Sequence, residues 1–256
     1  MTKGTWVALF LALTLTSLAC AKPPAPPAAA SQLDHGVFVE PLVPGVWRHV
    51  SYRHFVGAGP IPSNGLIVRL DDGKVLLIDT AWNDEQTSVI LDWVEAHVGR
   101  VSTLVITHAH DDRMGGIAES HRREIESIAF EGTRVEARRQ GWPEIERGVG
   151  SGFRLESLGI PGEIFYPGPG HSRDNIVVHL EDRRVLAGTC MIRTGSAQSL
   201  GSTAVADMAA WPDSVRAIAV RYPSVEVVVP GHGDPGGPEL IGHTLELLEA
   251  YEETSP

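Results

Sequence analysis

Short apolar runs alternate with amphipathic segments along the chain from Val37 onward. An apolar run of roughly four to eight residues between turn-forming residues is typical of a buried strand. The sequence Asp72-Gly73, which lies between two such runs, favours a tight hairpin turn. The predicted strands are Gly65–Leu70, Lys74–Asp79, Thr103–Thr107, Asn175–Leu180, Arg184–Gly188 and Val225–Pro230.

The amphipathic segments are predicted helices. The first begins at Asn83 or Asp84, which would act as its N-cap, and continues to Val98, with Gly99 closing it. Since strands dominate each half of the chain and helices follow them, we expect sheets with helices packed on the outside, and one domain, because no linker interrupts residues 37–252. The other predicted helices are Arg113–Arg123, Thr133–Gln140, Met208–Arg221 and Pro238–Glu252.

Composition and charge narrow the class of protein. The 256 residues are 43% hydrophobic and 21% charged, as expected of a globular chain with a sizeable core. The formal net charge of −11 works against binding to nucleic acid or to anionic membrane surfaces. Two cysteines, one of them close to the N-terminus, exclude a disulfide scaffold.

The N-terminus has the pattern of a secretory signal peptide. Lys3 supplies the positive charge, and the apolar stretch Trp6–Leu15 is too short to span a bilayer. We therefore interpret residues 1–21 as a signal peptide and expect export to the periplasm. Two forms of cleavage stay open, because Ala19-Cys20-Ala21 fits ordinary signal peptidase and Ser17–Cys20 also resembles a lipoprotein box, which would leave Cys20 lipidated.

The segment after the signal peptide is rich in proline and alanine. We expect residues 22–35 to form an extended tether, behind which residues 36–256 form the catalytic domain. A lipidated Cys20 would anchor this domain to the membrane through the tether. The domain is expected to act as a monomer on a small-molecule substrate, without a nucleic-acid partner.

Residues suited to metal binding stand at the ends of several predicted strands. The sequence Thr-His-Ala-His-Asp-Asp follows one strand, and glycine-containing or proline-containing turns at other strand ends each present one further donor. Imidazole, carboxylate and thiolate together suit a borderline metal such as zinc. The candidate ligands are His108, His110, Asp112, His171, Cys190 and His232.

These motifs resemble the metallo-β-lactamases, the zinc hydrolases of class B, and among them subclass B1. The resemblance rests on His-x-His-x-Asp at 108–112, Gly-His-x-x-Asp-Asn at 170–175, Cys190 with a basic residue three positions later, and Gly-His at 231–232. It extends over residues 37–252. It implies a four-layer α/β–β/α sandwich, with two mixed sheets between outer helices and the site at the edge between the sheets.

The resemblance also divides the ligands between two zinc ions. His108, His110 and His171 would hold one ion, and Asp112, Cys190 and His232 would hold the other, which gives the otherwise unpaired Cys190 a partner. A zinc-bound hydroxide would attack the β-lactam carbonyl, and the second zinc would stabilise the departing nitrogen. Asp112 would orient the hydroxide and take part in proton transfer. The implied activity is hydrolysis of penicillins, cephalosporins and carbapenems, with antibiotic resistance as its consequence.

Other residues are assigned to the substrate. Arg193 stands where the family usually has lysine, and its guanidinium would grip the substrate carboxylate. Ser202 receives only a weak role, because its side chain is shorter than the asparagine often found there. The stretch Tyr52–Ser63 would form a flexible flap with Phe55 at its tip, covering an apolar substituent of the substrate. The alternatives are a solvated Arg193 and a simple exposed loop aromatic at Phe55.

Two further residues would support the ligands. Asp79 and Arg113 are expected to orient ligands and balance charge, although Asp79 capping a turn is an equal alternative. Rival functions are a thioesterase or lactonase of the same superfamily and a non-catalytic zinc-binding envelope protein. Thioesterases and lactonases usually place histidine after Asp112 and a bridging aspartate at the place of Cys190, so Arg113 and Cys190 favour the lactamase.

Overall fold

The structure is a computed structural model that describes residue 1 and residues 29–254, and in it two β-sheets face each other. The larger sheet has eight strands in chain order, and the smaller has five in the order β13-β12-β11-β10-β9. The larger sheet consists of β1 Ser31–Leu33, β2 Val37–Val43, β3 Val46–Phe55, β4 Gly59–Arg69, β5 Val75–Ile78, β6 Val101–Ile106, β7 Glu126–Phe130 and β8 Arg147–Val149. The smaller consists of β9 Phe153–Arg154, β10 Gly162–Phe165, β11 Val177–Leu180, β12 Val185–Thr189 and β13 Val227–Pro230.

Helices connect these strands and cover the outer faces of the sheets. Asn83 caps the first of them, because its side chain accepts a hydrogen bond from the Gln86 amide, as the sequence predicts. None of the helices in the described residues is both long and apolar enough to cross a membrane. The helices are α1 Asp84–His97, α2 Asp111–Met114, α3 Ile117–Arg122, α4 Glu131–Gln140, α5 Trp211–Arg221 and α6 Glu239–Thr254.

Both sheets are mixed. Strands β1 to β5 pair antiparallel and β5 to β8 pair parallel, while the smaller sheet is antiparallel except for the pair β12 and β13. The Asp72-Gly73 turn joins β4 to the antiparallel β5, which confirms the predicted hairpin.

The strands are apolar on both faces because each face packs against a different layer. On β4, Leu66 and Val68 point between the two sheets, whereas Ile67 packs with the α1 residues Ile90 and Val94. In the smaller sheet the outward residues pack with α5 and α6 in a third core. The three cores separate four layers, which confirms the predicted α/β–β/α sandwich.

The two sheets approach each other most closely where several strands end. There, the Asn64 amide of β4 donates a 2.9 Å hydrogen bond to the Gly231 carbonyl after β13. The Ile176 amide before β11 donates a 3.0 Å hydrogen bond to the Thr107 carbonyl after β6. These backbone bonds fix the relative position of the strand ends from both sheets, so that loops from both sheets meet at one edge.

The predicted helix Arg113–Arg123 is wrong as a single element. The chain forms α2 and α3 instead, separated by Gly115 and Gly116. A Cβ on Gly115 would lie 2.1 Å from the Trp82 carbonyl oxygen, and one on Gly116 would lie 1.8 Å from Thr87 Oγ1. The two glycines therefore break the helix and allow the segment that leads into α1 to approach the metal-binding loop closely.

The N-terminal expectations fall largely outside the described residues. The predicted signal peptide 1–21 and most of the predicted tether 22–35 lie in the part of the chain that is not described. The predicted C-terminal end of the tether is wrong, because Ser31–Leu33 forms the edge strand β1, which pairs with β2. A strand here needs only backbone pairing with β2, and composition alone does not reveal such pairing.

Candidate metal centre

The six predicted ligands meet at the edge where the two sheets approach. His108 and His110 follow β6, Cys190 directly follows β12, and His232 follows β13 after one glycine. Asp112 lies in α2, and His171 lies in the loop before β11. Because β6, β12 and β13 end at this edge, residues far apart in the sequence become neighbours in space.

Three histidines form one side of the centre, called the first side below. The ring centroids of His108, His110 and His171 are 4.6, 5.1 and 5.2 Å apart, with interplanar angles of 79°, 85° and 80°. His171 Nε2 lies 3.2 Å from His110 Nδ1. His108 Nε2 is buried and has no hydrogen-bond partner among the described residues. A buried nitrogen without a partner is costly unless something else binds it, so these rings are arranged for a ligand between them.

The second side of the centre combines the carboxylate of Asp112, the thiol of Cys190 and the imidazole of His232. Cys190 Sγ lies 3.6 Å from Asp112 Oδ2 and 3.4 Å from His232 Nε2. His232 Nε2 is 3.3 Å from Asp112 Oδ2. The His232 Nδ1–H group donates to the Pro62 carbonyl at 2.6 Å, which leaves Nε2 free to bind a metal.

The spacings on both sides fit zinc. Bonds of about 2.0–2.3 Å at tetrahedral angles place pairs of nitrogen, oxygen and sulfur donors about 3.3–3.6 Å apart. The measured donor distances of 3.2 to 3.6 Å agree with this. The donors of Asp112, Cys190 and His232 lie within 4.8 Å of one another. The same limit holds for His108 with His110 and Asp112, and for His108 with His171 and Cys190. The residues present thus fit adjacent metal positions.

Arg113 is fully buried behind the second side. Its guanidinium donates to Asp112 Oδ2 at 2.8 and 3.0 Å and lies 3.3 Å from Cys190 Sγ. It also donates to the Gly231 carbonyl at 2.8 Å and to the Asn64 carbonyl. The structure therefore places Arg113 against the two ligands Asp112 and Cys190, as the sequence predicted. Its hydrogen bonds to the Gly231 and Asn64 carbonyls also link the segments around these ligands.

Asp79 supports the first side rather than capping a turn alone. Its carboxylate accepts hydrogen bonds of 2.8 Å from both the amide and the hydroxyl of Thr107, the residue before His108. Arg113 Nη1 lies 3.3 Å from the same carboxylate. Burial raises the pKa of Asp79 to about 6, although Arg113 and Thr107 act in the opposite direction. Asp79 thus links the backbone of the histidine loop to Arg113.

The protonation of the ligands follows from their burial and neighbours. Burial lowers the pKa of His108 and of His232, and it lowers the pKa of His171 to about 3, so these rings are neutral and able to bind metal. Burial raises the pKa of the Cys190 thiol to about 12 in the metal-free chain. Burial also opposes ionisation of Asp112, but the charge of Arg113 outweighs it and holds the pKa of Asp112 well below its usual range.

The backbone around Cys190 is strained. Thr189 has a φ of 49°, a value that β-branched residues rarely adopt, and its carbonyl accepts the Gly231 amide at 2.7 Å. A Cβ on Gly231 would lie 2.4 Å from Cys190 Sγ. Strain of this kind persists where surrounding contacts impose it, and here it turns Cys190 towards Asp112 and His232.

The residues assigned to the substrate differ in their surroundings. Arg193 is half-buried, and no carboxylate within residues 29–254 forms a salt bridge with it; its Nη2 lies 3.1 Å from where a Gly201 Cβ would be. Burial lowers the pKa of Arg193. Arg193 is therefore an unpaired cation near the second side. Ser202, next to Gly201, is exposed.

Phe55 does not lie at the tip of a loop as predicted. The predicted flap 52–63 is a hairpin in which β3 and β4 continue almost to the turn, and Phe55 is the last residue of β3. Its ring packs edge-on against Trp82 at 5.6 Å, and the tip residue is the fully exposed Val56. The extended pairing arises because backbone hydrogen bonds across the hairpin override the glycine and proline content of the segment.

Sequence reasoning missed two residues of the site. Trp82 lies between Phe55, which it meets edge-on at 5.6 Å, and the His232 ring, which is tilted by 31° at 6.3 Å. Asp174 accepts the Ala109 amide at 2.8 Å and so joins the loop of His171 to that of His108. Asp174 could have been found from its place in the Gly-His-x-x-Asp-Asn motif at 170–175. No local sequence pattern marks Trp82.

Comparison with known proteins agrees with this geometry. The model of the Metallo-beta-lactamase superfamily matches residues 58–232. A protein of Bacteroides fragilis named Metallo-beta-lactamase type 2 is 35% identical over 225 residues, which cover 88% of this chain and 90% of the relative.

Solved structures give the same result. The mono-zinc form of the metallo-beta-lactamase FIM-1 from Pseudomonas aeruginosa has a TM-score of 0.78 at 38% identity, over 84% of this chain and 95% of that one. A metallo-beta-lactamase from Erythrobacter litoralis has a TM-score of 0.81 at 36% identity, over 86% and 99%. With this fold, these donors and these relatives, the chain belongs to the metallo-beta-lactamase superfamily and, within it, to the class B metallo-beta-lactamases.

Proposed function

We propose that the protein hydrolyses the ring amide of β-lactam antibiotics. The observation that carries the proposal is the convergence of six zinc-type donors, in overlapping groups of three whose atoms lie within 4.8 Å of one another, at one edge of the sandwich. An unpaired arginine, Arg193, lies next to the second set. The names and structures of the relatives support the same activity for this chain.

Two zinc ions per chain would be held by the two sets of donors. His108, His110 and His171 would hold the first ion, and Asp112, Cys190 and His232 the second. Zinc at such donors polarises a carbonyl oxygen and lowers the pKa of a water molecule to about 7, as amide hydrolysis at neutral pH requires.

The protein residues supply orientation and charge balance. Asp112 presents Oδ2 to Cys190 and His232 and is held ionised by Arg113, so that it is able to accept a hydrogen bond or a proton from a nearby water. Arg193 is free to bind the substrate carboxylate, and a guanidinium is able to do so through two parallel hydrogen bonds. Trp82 and Phe55 form an apolar wall beside His232 that would exclude water and contact an apolar part of the substrate.

The finer assignments belong to the same proposal. Cysteine as the fifth ligand supports subclass B1, and the expected substrates are penicillins, cephalosporins and carbapenems, with resistance as the cellular outcome. A monomer is the expected form.

The N-terminal pattern supports secretion to the periplasm, with or without a lipid on Cys20. Fractionation of cells that produce the full chain and a Cys20→Ala variant, followed by the mass of the mature protein, tests the location and the anchor. A full-length or cytoplasmic product would contradict it.

The test of activity is hydrolysis of benzylpenicillin and a carbapenem by the purified mature domain before and after chelation and again with zinc restored. We expect turnover that the chelator removes and zinc restores. A protein that holds two zinc ions per chain and hydrolyses no β-lactam would overturn the proposal. Thioesters and lactones would then be the next substrates to test.

A further inference from the structure

A cavity of about 640 Å³ opens beside His110, on the side of the three histidines. Helix α4 contributes Glu136 and Arg139 to its wall, and the loop after His171 contributes Arg173 and Asp174. The segment Ala204–Ala206 forms another part of the wall. The cavity is therefore continuous with the metal centre through a predicted ligand, and it is large enough for a substituent of a drug-sized molecule.

The charged groups of this cavity differ in whether they already have a partner in the protein. Arg139 donates to the two carboxylate oxygens of Glu136 at 2.9 and 2.6 Å, so these two charges neutralise each other. Asp174 is only 5% exposed, and its Oδ2 accepts the Ala109 amide. Arg173 is exposed and forms no salt bridge with any carboxylate of residues 29–254. Arg173 is thus the arginine of this wall that remains available to an anion.

Arg193 and Arg173 lie beside different ligands of the centre. Arg193 lies close enough to Cys190 and His232 to influence the pKa of both, whereas Arg173 shares its cavity with His110. In penicillins the ring carboxylate and the acylamino side chain project from opposite ends of the bicyclic nucleus. A substrate whose carboxylate faces Arg193 would direct its acyl side chain towards the cavity beside His110.

We propose that this cavity is a subsite for an anionic group on the acyl side chain of the substrate, and that Arg173 selects for it. The inference rests on the proposed β-lactam hydrolysis. It assigns to Arg173 a role in specificity: β-lactams with two carboxylates are preferred over matched substrates with one. The Glu136–Arg139 pair sets the strength of this preference, because Glu136 holds the second guanidinium of the wall away from the substrate.

The experiment compares benzylpenicillin with carbenicillin, which differs from it by one side-chain carboxylate. The quantity is the ratio of kcat/KM for carbenicillin to that for benzylpenicillin, since this ratio cancels effects common to both substrates. We expect Arg173→Gln to lower the ratio by roughly threefold to tenfold, the range of a partly exposed ion pair. Glu136→Gln, which frees Arg139, should raise the ratio. Both changes should shrink when salt rises from about 0.05 M to about 0.5 M, because the interaction is exposed.

Arg100→Gln is the matched control, because Arg100 is exposed and precedes β6 at the end remote from His108. Its ratio should equal that of the parent. An unchanged ratio in Arg173→Gln, or an equal fall in Arg100→Gln, would overturn the inference while leaving the proposed function intact. A fall of the same size for both substrates in Arg173→Gln would show that Arg173 binds the common carboxylate, and it would also overturn the inference.

A second readout does not depend on turnover. In the zinc-free protein, carbenicillin should shift the amide resonances of Arg173 and Ala204–Ala206 more than benzylpenicillin does at equal concentration. Equal shifts, or shifts confined to residues around Arg193, would contradict the subsite. If the zinc-loaded parent hydrolyses neither penicillin, the proposed function fails, and the inference fails with it.

Discussion

The two sides of the metal centre achieve ligand geometry by different means. On the first side all donors are imidazoles, and two of them, His108 and His110, are separated by a single residue. On the second side the donors come from three segments, since Cys190 lies 78 positions after Asp112 and His232 lies 42 positions after Cys190. The first side is assembled largely by one loop and the second by the tertiary structure.

The difference extends to charge. On the histidine side, burial lowers the pKa of His108 and His171 and keeps these two rings neutral. The other side gathers a carboxylate and a thiol, and it requires the buried cation Arg113 behind it. Neutral donors can be buried with a modest penalty, whereas a buried carboxylate needs a partner. The four predictions below test this contrast, from the largest expected effect to the smallest.

Removal of a ligand should have the largest effect on both sides. We expect His110→Ala and Cys190→Ala each to lower the kcat/KM of penicillin hydrolysis by more than about 100-fold, since loss of even a supporting residue of a metal site costs about 10–100-fold. Cys190→Ala should keep about one zinc per chain, because the three histidines remain intact. Zinc content by elemental analysis and initial rates provide the check. His97→Ala in α1 is the control; a Cys190→Ala protein with two zinc ions and full turnover would contradict the assignment.

Arg113 should contribute strongly to the stability of the metal-free protein. Arg113→Met leaves Asp112 buried without its ion-pair partner, so we expect a loss of about 3–5 kcal/mol in the free energy of unfolding. Arg193→Met removes a half-buried guanidinium that has no salt bridge in the described chain, and should cost less than about 1 kcal/mol. Urea unfolding of both variants gives the comparison. Equal losses would show that Arg113 is not a specific charge partner.

The cost of keeping a buried imidazole neutral can be measured away from the ligands, at His49. Burial lowers its pKa to about 4, from an unfolded value near 6.5. As the pH falls, the unfolded chain binds a proton at His49 before the folded chain does. The free energy of unfolding should therefore fall by about 3 kcal/mol in total between about pH 6.5 and about pH 4. His49→Gln should remove this part of the pH dependence of unfolding and leave the part that His108, His171 and His232 contribute. Parallel curves for parent and variant would contradict the origin of the effect.

The smallest effect should come from the hairpin next to the second side. Arg53 forms an ion pair with Asp111, and its guanidinium lies 5.0 Å from the Phe55 ring and 5.6 Å from the Trp82 ring. Because the side chains of Arg53 and Asp111 are 46% and 47% exposed, the pair is worth at most about 1 kcal/mol. Arg53→Ala should raise KM about twofold to fivefold with little change in kcat, and high salt should reduce the difference.

A double-mutant cycle with Asp111→Asn isolates this ion pair from the aromatic contacts of Arg53. If the two substitutions are additive, the pair does not couple the hairpin to the metal loop. If Arg53→Ala lowers kcat rather than raising KM, the hairpin acts in the chemical step and not in binding.

Much of the fold was accessible from the pattern of apolar residues. Strands β4 to β6 and β11 to β13, the helix after Asn83 and the hairpin at Asp72-Gly73 were predicted because their signals are local. Strands β2, β3, β7 and β10 were missed, because polar residues interrupt their apolar runs and pairing with neighbouring strands forms them. The helix expected over Arg113–Arg123 failed for a tertiary reason, the close approach of the chain at Gly115 and Gly116.

The sequence by itself determined the chemistry of the site, because residue types and their spacing carry it: two histidines and an aspartate after one strand, and single donors after others. Only the tertiary structure decided which of these groups meet, that Arg113 lies against Asp112 and Cys190, and that Phe55 packs on Trp82 instead of extending from a loop tip. The physical reason is that ligand identity is a local property of the chain. Distance, burial and charge balance depend on how the two sheets pack, and they join residues that the sequence keeps far apart.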